Sequence, residues 1–370
     1  MSERPRSPKH FRLGVFMPVG NNGWIMSKNA PQYQPTYELN KEVALFAEKI
    51  GFDYIFSMAK WSGYGGDTQF WESTLESFSL MSALAAVTTR LRLVASISPI
   101  LVHPTVVAKM AVTFDQISGG RAGINIVSSD SEYARMGLYP KDFFSYHHEY
   151  NTEWLAAVKR LWTGERVDLA GKYFTLTGYS SNPRPVQQPW PTIVYATSSE
   201  PGFRFVAEHC DEAFLSFRDP KRNETSKRIK EMARQNGRSV KTQSNTCLIL
   251  GSTDEEAQRM LAHLRAGADL EAIANVYGRT GDYSKEGLEA DWSAEERRAR
   301  GQQVLDERAA ALFYGSSFVG GPERIADAIE DMAVNGDMDG LLLNFPDFIE
   351  GLTKFNEQVM PLLKQRGLRD

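Results

Sequence analysis

Short apolar runs alternate along the chain with longer stretches whose apolar positions recur three and four residues apart. The first run covers residues 11–18, and a Gly- and Asn-rich loop follows at 20–23. A helical pattern spans 37–50 and stops at Gly51; a second apolar run covers 53–58. A period of 3.6 marks amphipathic helices, and short bounded runs mark buried strands. The order repeats: helix 76–88, strand 91–97, helix 104–117 with Pro104 suited to its first turn, and strand 122–127. After a loop at 128–145 come helix 149–162, strand 192–196, helix 201–209, strand 211–217 and helix 220–235. Strand 244–250, helix 255–266, helix 322–334, strand 340–345 and a C-terminal helix complete the series.

Eight such alternations in 370 residues predict an α/β chain built as one closed (β/α)₈ TIM barrel, not an open doubly wound sheet. Two stretches exceed ordinary connections. Residues 163–191 contain a small hairpin around 168–174, and 269–312 form a polar, largely helical insertion. Residues 1–10 are basic and polar, without the apolar centre of a signal peptide, and are expected to be a short flexible arm.

Composition narrows the function more than the fold. A net charge of −4 with scattered basic residues argues against nucleic acid as the main partner. No apolar stretch reaches the ~20 residues of a membrane span. Cys210 and Cys247 lack metal spacing and are expected to be reduced, buried thiols of a cytoplasmic protein. No GxGxxG turn, Walker A loop, GxSxG elbow or metal-spaced His/Cys cluster occurs, which leaves hydrolase and metal chemistry with little support.

Barrel chemistry sits where strands end and loops begin. The segments to examine are therefore 18–23, 58–66, 96–103, 125–132, 196–199, 217–219 and 344–347. Residues 197–202 (Thr-Ser-Ser-Glu-Pro-Gly) end a strand and open a helix, so the N–H groups and hydroxyls of Ser198 and Ser199 suit a phosphate. The same residues also make an ordinary helix cap. His147 and His148 open the helix after the fourth strand, either as phosphate donors or as a surface pair. His103, before Pro104, is a candidate acid or base with an equally plain structural use. The Asn125 amide can meet a heterocycle edge or cap a loop. Lys60 can neutralise an anionic ring or be solvated. Met58 follows the second strand. Trp24, Phe56, Trp61, Tyr64, Phe70 and Trp71 cluster near the first two loops, as walls for a planar ligand or as core.

Taken in order, these segments resemble one family. Residues 13–24 (Leu-Gly-Val-Phe-Met-Pro-Val-Gly-Asn-Asn-Gly-Trp), 30–33 (Ala-Pro-Gln-Tyr) and 52–60 (Phe-Asp-Tyr-Ile-Phe-Ser-Met-Ala-Lys) open the match. Residues 75–78, 85–88, 114–121 (Phe-Asp-Gln-Ile-Ser-Gly-Gly-Arg), 132–133, 136–137, 171–174 and 319–323 continue it, together with Asn125. The chain resembles the luciferase-like flavin-dependent monooxygenases, and within them the pyrimidine monooxygenases of uracil degradation. The resemblance implies FMN, reduced by a separate NAD(P)H-dependent flavin reductase, with O₂ as co-substrate and a small heterocycle as substrate. It implies flavin contacts at Ala59, Lys60, Asn125, Glu132 and Ser199. Trp24, Met58, Trp61 and Tyr64 are the expected substrate-side residues, and a homo-oligomer is expected.

The chain departs from the family in places. His147-His148 replaces a common Arg-Tyr, Pro99 and Leu101 stand where threonines line the oxygen side, and the 128–131 loop is short and lacks a Trp. A bulkier ring, as in riboflavin-cleaving relatives, is the close alternative. Deazaflavin-dependent hydride transfer and a non-catalytic flavin protein are others.

Overall fold

A computed structural model describes residues 10–128, 131–215, 221–278 and 292–370. The expected N-terminal arm therefore lies outside the described residues, apart from His10. So do residues 217–219 and the middle of the 269–312 insertion.

The chain alternates as its pattern predicts. Strands β1 (Arg12–Phe16), β2 (Tyr54–Phe56), β3 (Arg92–Ile97) and β4 (Ala122–Ile126) pair in parallel sequence order. After the excursion of β5 (Val167–Ala170) and β6 (Thr175–Tyr179), the sheet continues through β7 (Thr192–Thr197), β8 (Glu212–Leu215), β9 (Lys241–Leu250) and β11 (Gly340–Asn344). β11 pairs with β1, in register from Arg12 opposite Gly340, and this closes an eight-stranded parallel barrel. Helices between the strands shield the outer face, so most strands read as bounded apolar runs, β9 being polar in its lower half.

One strand was not expected. β10 (Ser316–Gly320) pairs in parallel with the upper half of β9, from Thr246 to Leu250. β8 takes the lower residues of the same edge, Lys241 to Gln243, so β10 fills the edge that β8 leaves. Its sequence, Ser-Ser-Phe-Val-Gly, is too short and too polar to stand out as a strand.

The excursion is the hairpin expected near 168–174. β5 and β6 are antiparallel, and Glu153 clasps their turn by accepting from the backbone N–H of Lys172, Tyr173 and Phe174 at 2.9, 2.9 and 2.7 Å. Glu153 belongs to the helix Phe143–Trp162, which begins one and a half turns earlier than its apolar pattern suggests.

Inward-facing positions alternate along the strands and stack in layers. At the lower end Arg12 makes a two-pronged pair with Glu212, at 2.7 and 3.1 Å, and Gln243 donates to the same carboxylate at 3.1 Å. The Arg12 guanidinium also lies over the Tyr54 ring. Gly14 makes room for that ring, since a Cβ there would come within 2.7 Å of it. Each apolar side chain fully buried in the barrel contributes about 1.5–3 kcal/mol. Cys210 and Cys247 are buried and unbridged. No described helix is long and apolar enough to cross a membrane.

Candidate active site

At the C-terminal ends of the strands the layers open into a cavity of about 130 Å³. Its floor is a triangle of phenylalanines, Phe16, Phe56 and Phe214, with ring centroids 5.3 to 5.8 Å apart. One wall is aromatic. Trp24 meets Trp71 edge-on at 5.2 Å, and Trp71 meets Tyr314 at 4.4 Å. The indole N–H of Trp71 donates to the Gly23 carbonyl at 2.6 Å, which fixes the ring. Met58, Ala59, Val127 and Ala196 complete the apolar lining.

The polar lining is sparse and specific. Lys60, 6% exposed, follows β2, and its ammonium lies 3.3 Å from the buried carboxylate of Glu132. The same carboxylate oxygen accepts the backbone N–H of Trp61 and Ser62 at 3.0 and 3.1 Å, so it anchors the loop that carries Lys60. The Lys60 ammonium also sits 4.6 Å from the Tyr64 ring centroid, a cation–π contact.

Asn125, near the end of β4, donates from Nδ2 to Ser96 Oγ at 2.9 Å, and Ser96 donates onward to the Ser57 carbonyl at 2.6 Å. This relay orients the amide and leaves Asn125 Oδ1 buried without a partner. Across the barrel on β9, Asn245 is 1% exposed and lines the same cavity, with both amide atoms unpartnered. A buried polar atom left unpaired costs about 1–3 kcal/mol, so the cavity holds three atoms that favour a polar ligand.

The turn after β7 lies at the rim. Ser199 caps the helix Glu200–His209, its hydroxyl accepting from Gly202 N–H at 3.4 Å. Gly202 is required by packing, because a Cβ there would come within 2.0 Å of Thr197 Oγ1. Ser198 and Ser199 are exposed at this helix N-terminus, with the Ser199 N–H itself donating to Thr197 Oγ1 at 3.4 Å. The rings of His147 and His148 lie 4.0 Å apart and tilted by 40° on the helix Phe143–Trp162. Burial, then the neighbouring His147, pushes His148 down to about 4, so its ring is neutral at pH 7 and offers a hydrogen bond, not a charge.

The structure therefore brings Trp24, Met58, Ala59, Lys60 and Asn125 into one cavity, with Glu132 and Tyr64 packed against Lys60. Other expected residues stand elsewhere. His103 caps the helix Pro104–Ser118, its ring exposed and bonded to Thr105 at 2.8 Å, and does not line the cavity. The Trp61 ring is 49% exposed, and only its backbone engages the site, through Glu132. Ser198, Ser199, His147 and His148 lie outside the enclosed part. Phe214, Asn245 and Tyr314 line it without having been singled out. Asn245 carried no distinct signal, because it sits in a run of buried polar residues, Thr242 to Thr246.

The barrel with this mouth defines a class. Residues 11–338 match the model of the family described as luciferase-like monooxygenase, and the chain belongs to that family. It is a flavin-dependent monooxygenase. It is 37% identical over 361 residues to the pyrimidine monooxygenase RutA of Variovorax paradoxus, covering 96% of this chain and 95% of that one. The pyrimidine monooxygenase RutA of Rhizobium rhizogenes is equally similar, at 37% over 96% of each chain. Among solved structures, a riboflavin lyase superposes with a TM-score of 0.83 at 23% identity, covering 98% of this chain and 93% of that one. A long-chain alkane monooxygenase reaches 0.80 at 23%, with the same coverage. Those two likenesses speak for the fold alone.

Proposed function

We propose that the protein is the oxygenase of a two-component system, which uses reduced FMN and O₂ to oxidise a planar, pyrimidine-like nitrogen heterocycle. A separate NAD(P)H-dependent flavin reductase supplies the reduced flavin. The observation that carries this reading is the cavity itself: about 130 Å³, floored by three phenylalanines, and edged by unpartnered amide atoms of Asn125 and Asn245. Both curated relatives described above are named pyrimidine monooxygenases.

The residues fit a flavin. The orphaned Asn125 acceptor matches a ring N–H, Lys60 offers positive charge beside the ring, and the Ser199 turn offers N–H and hydroxyl groups to a phosphate. When bound, reduced FMN supplies the electrons and activates O₂. The chain supplies position and dryness. Glu132 holds the Lys60 loop, Ser96 and Ser57 hold the Asn125 amide, and the Phe16–Phe56–Phe214 floor excludes water from the reacting face. A cytoplasmic setting, where Cys210 and Cys247 stay reduced, suits this chemistry.

The test is turnover of uracil by the protein with FMN, a flavin reductase and NADH, in air and under nitrogen. Loss of uracil in air alone supports the reading. Turnover that proceeds equally under nitrogen replaces it with hydride transfer.

A further inference from the structure

We infer that Asn245 reads the substrate. Its carboxamide pairs, through the Nδ2 N–H and Oδ1, with an adjacent C=O and ring N–H of a cyclic amide held against the Trp24–Trp71–Tyr314 wall. This rests on the heterocycle reading above and adds the chemical class that the cavity selects.

Three observations carry it. First, Asn245 is 1% exposed and neither side-chain amide atom has a partner, although both are buried. Every buried carboxamide must satisfy a donor and an acceptor or pay for their desolvation, and Asn245 leaves both for whatever occupies the cavity it lines. One donor and one acceptor side by side match a lactam or imide edge, N–H next to C=O, as two parallel hydrogen bonds. An aromatic hydrocarbon, an alkane or a simple amine satisfies at most one of the two.

Second, the position belongs to the substrate side. The residues matched to the flavin stand on β2, β4 and the turn after β7, whereas β9 is separated from β4 by β7 and β8. Asn245 sits beside the chain segment of Tyr314, since a Cβ on Gly315 would come within 3.0 Å of its Nδ2. Tyr314 in turn packs on Trp71 at 4.4 Å. A planar ring whose edge meets Asn245 therefore has aromatic surfaces beside it.

Third, backbone geometry fixes the amide in the mouth. Asn245 is opposite Leu342 in the β9–β11 register, on the inward face shared with Gln243. Gln243, one layer below, donates to Glu212 and leaves only its Oε1 unpartnered, whereas Asn245 leaves both amide atoms.

The test is calorimetric titration of the FMN-loaded wild type, with the flavin oxidised, using uracil, 1-methyluracil and 3-methyluracil. Asn245→Ala and Asn245→Leu are titrated beside it, together with FMN binding to each protein. Two neutral hydrogen bonds predict about tenfold or greater weakening of uracil in both variants. Methylation of the paired ring nitrogen weakens binding to wild type to a similar extent and leaves the variants nearly indifferent, within about threefold. FMN affinity stays within about threefold throughout. Equal uracil affinity in wild type and variants, or a loss of FMN affinity in place of uracil affinity, overturns the assignment. Wild type that binds uracil but ignores both methylations also overturns it, even if neither variant folds. Wild type that binds none of the three ligands removes the heterocycle reading itself and the assignment with it.

Discussion

Asp269 latches the aromatic wall to the rest of the barrel, and its removal tests how the mouth is held. The residue is fully buried and accepts three hydrogen bonds: from Thr68 N–H at 2.7 Å, Thr68 Oγ1 at 2.7 Å and Ala272 N–H at 3.0 Å. It thus ties the loop that carries Trp71 to the helix Leu270–Gly278. Gly66 leaves room for the carboxylate, since a Cβ there would come within 2.5 Å of it. Asn22 completes the latch by donating to the Thr68 carbonyl at 2.7 Å. In Asp269→Ala two backbone donors lose their acceptor in a buried place, at about 1–3 kcal/mol each, or about 4 kcal/mol together. With 370 residues and roughly 2.1 cal/mol/K of unfolding entropy per residue, that lowers Tm by about 5 °C. Asp269→Asn keeps one acceptor and should fall about half as far. Scanning calorimetry measures both, and titration with uracil should show weaker binding as Trp71 loosens. A shift below about 1 °C for Asp269→Ala, or equal shifts for the two variants, would refute the latch.

Other outcomes follow from the same geometry. Gly202→Ala should weaken FMN binding at least about tenfold in a fluorescence titration, because its Cβ would strike Thr197 in the turn proposed to hold phosphate; an unchanged Kd removes phosphate from that turn. Asn125→Ala should uncouple NADH oxidation from heterocycle loss, read as product formed per NADH; full coupling would end the role given to its amide. The depressed pKa of His148 means that the unfolded chain binds a proton more readily than the folded one between about pH 4 and 6.5. Its contribution is therefore present above pH 6.5 and fades as pH falls toward 4. Urea melts of His148→Gln should show a shallower loss of stability over that window than wild type, and parallel curves would contradict the assignment. Burial pushes both thiols, Cys210 and Cys247, well above the usual range. A disulfide exchange reagent should modify neither until the protein unfolds, and rapid labelling of the native protein would place one of them nearer the surface.

The barrel strands were legible because burial on both faces writes them as bounded apolar runs between helices of period 3.6. The helix starts at Pro104 and Pro322 were legible for a local reason, since proline fits a first turn. β10 was hidden because it gains its place from the edge of β9 that β8 vacates, which is a fact of closure and not of its own five residues. The site divides along the same line. Met58, Ala59, Lys60 and Asn125 each follow or end a strand, so the rule for barrel mouths found them, while Trp24 stood out in the aromatic cluster near the first two loops. Trp61 follows a strand too, yet its ring turns to solvent while its neighbour's ammonium turns in. His103 was legible as a residue before Pro104 but serves there as a cap, bonded to Thr105. Asp269 and Tyr314 act across more than two hundred residues of chain, and no local pattern reports that.

The central claim is that this mouth puts oxygen into a small heterocycle. The most direct measurement is mass spectrometry of the products formed from uracil by the protein, FMN, a flavin reductase and NADH under ¹⁸O₂. The account predicts a uracil-derived product carrying one heavy oxygen, dependent on the protein and lost in Asn125→Ala. A product with no heavy oxygen, formed at the same rate without O₂, would contradict it.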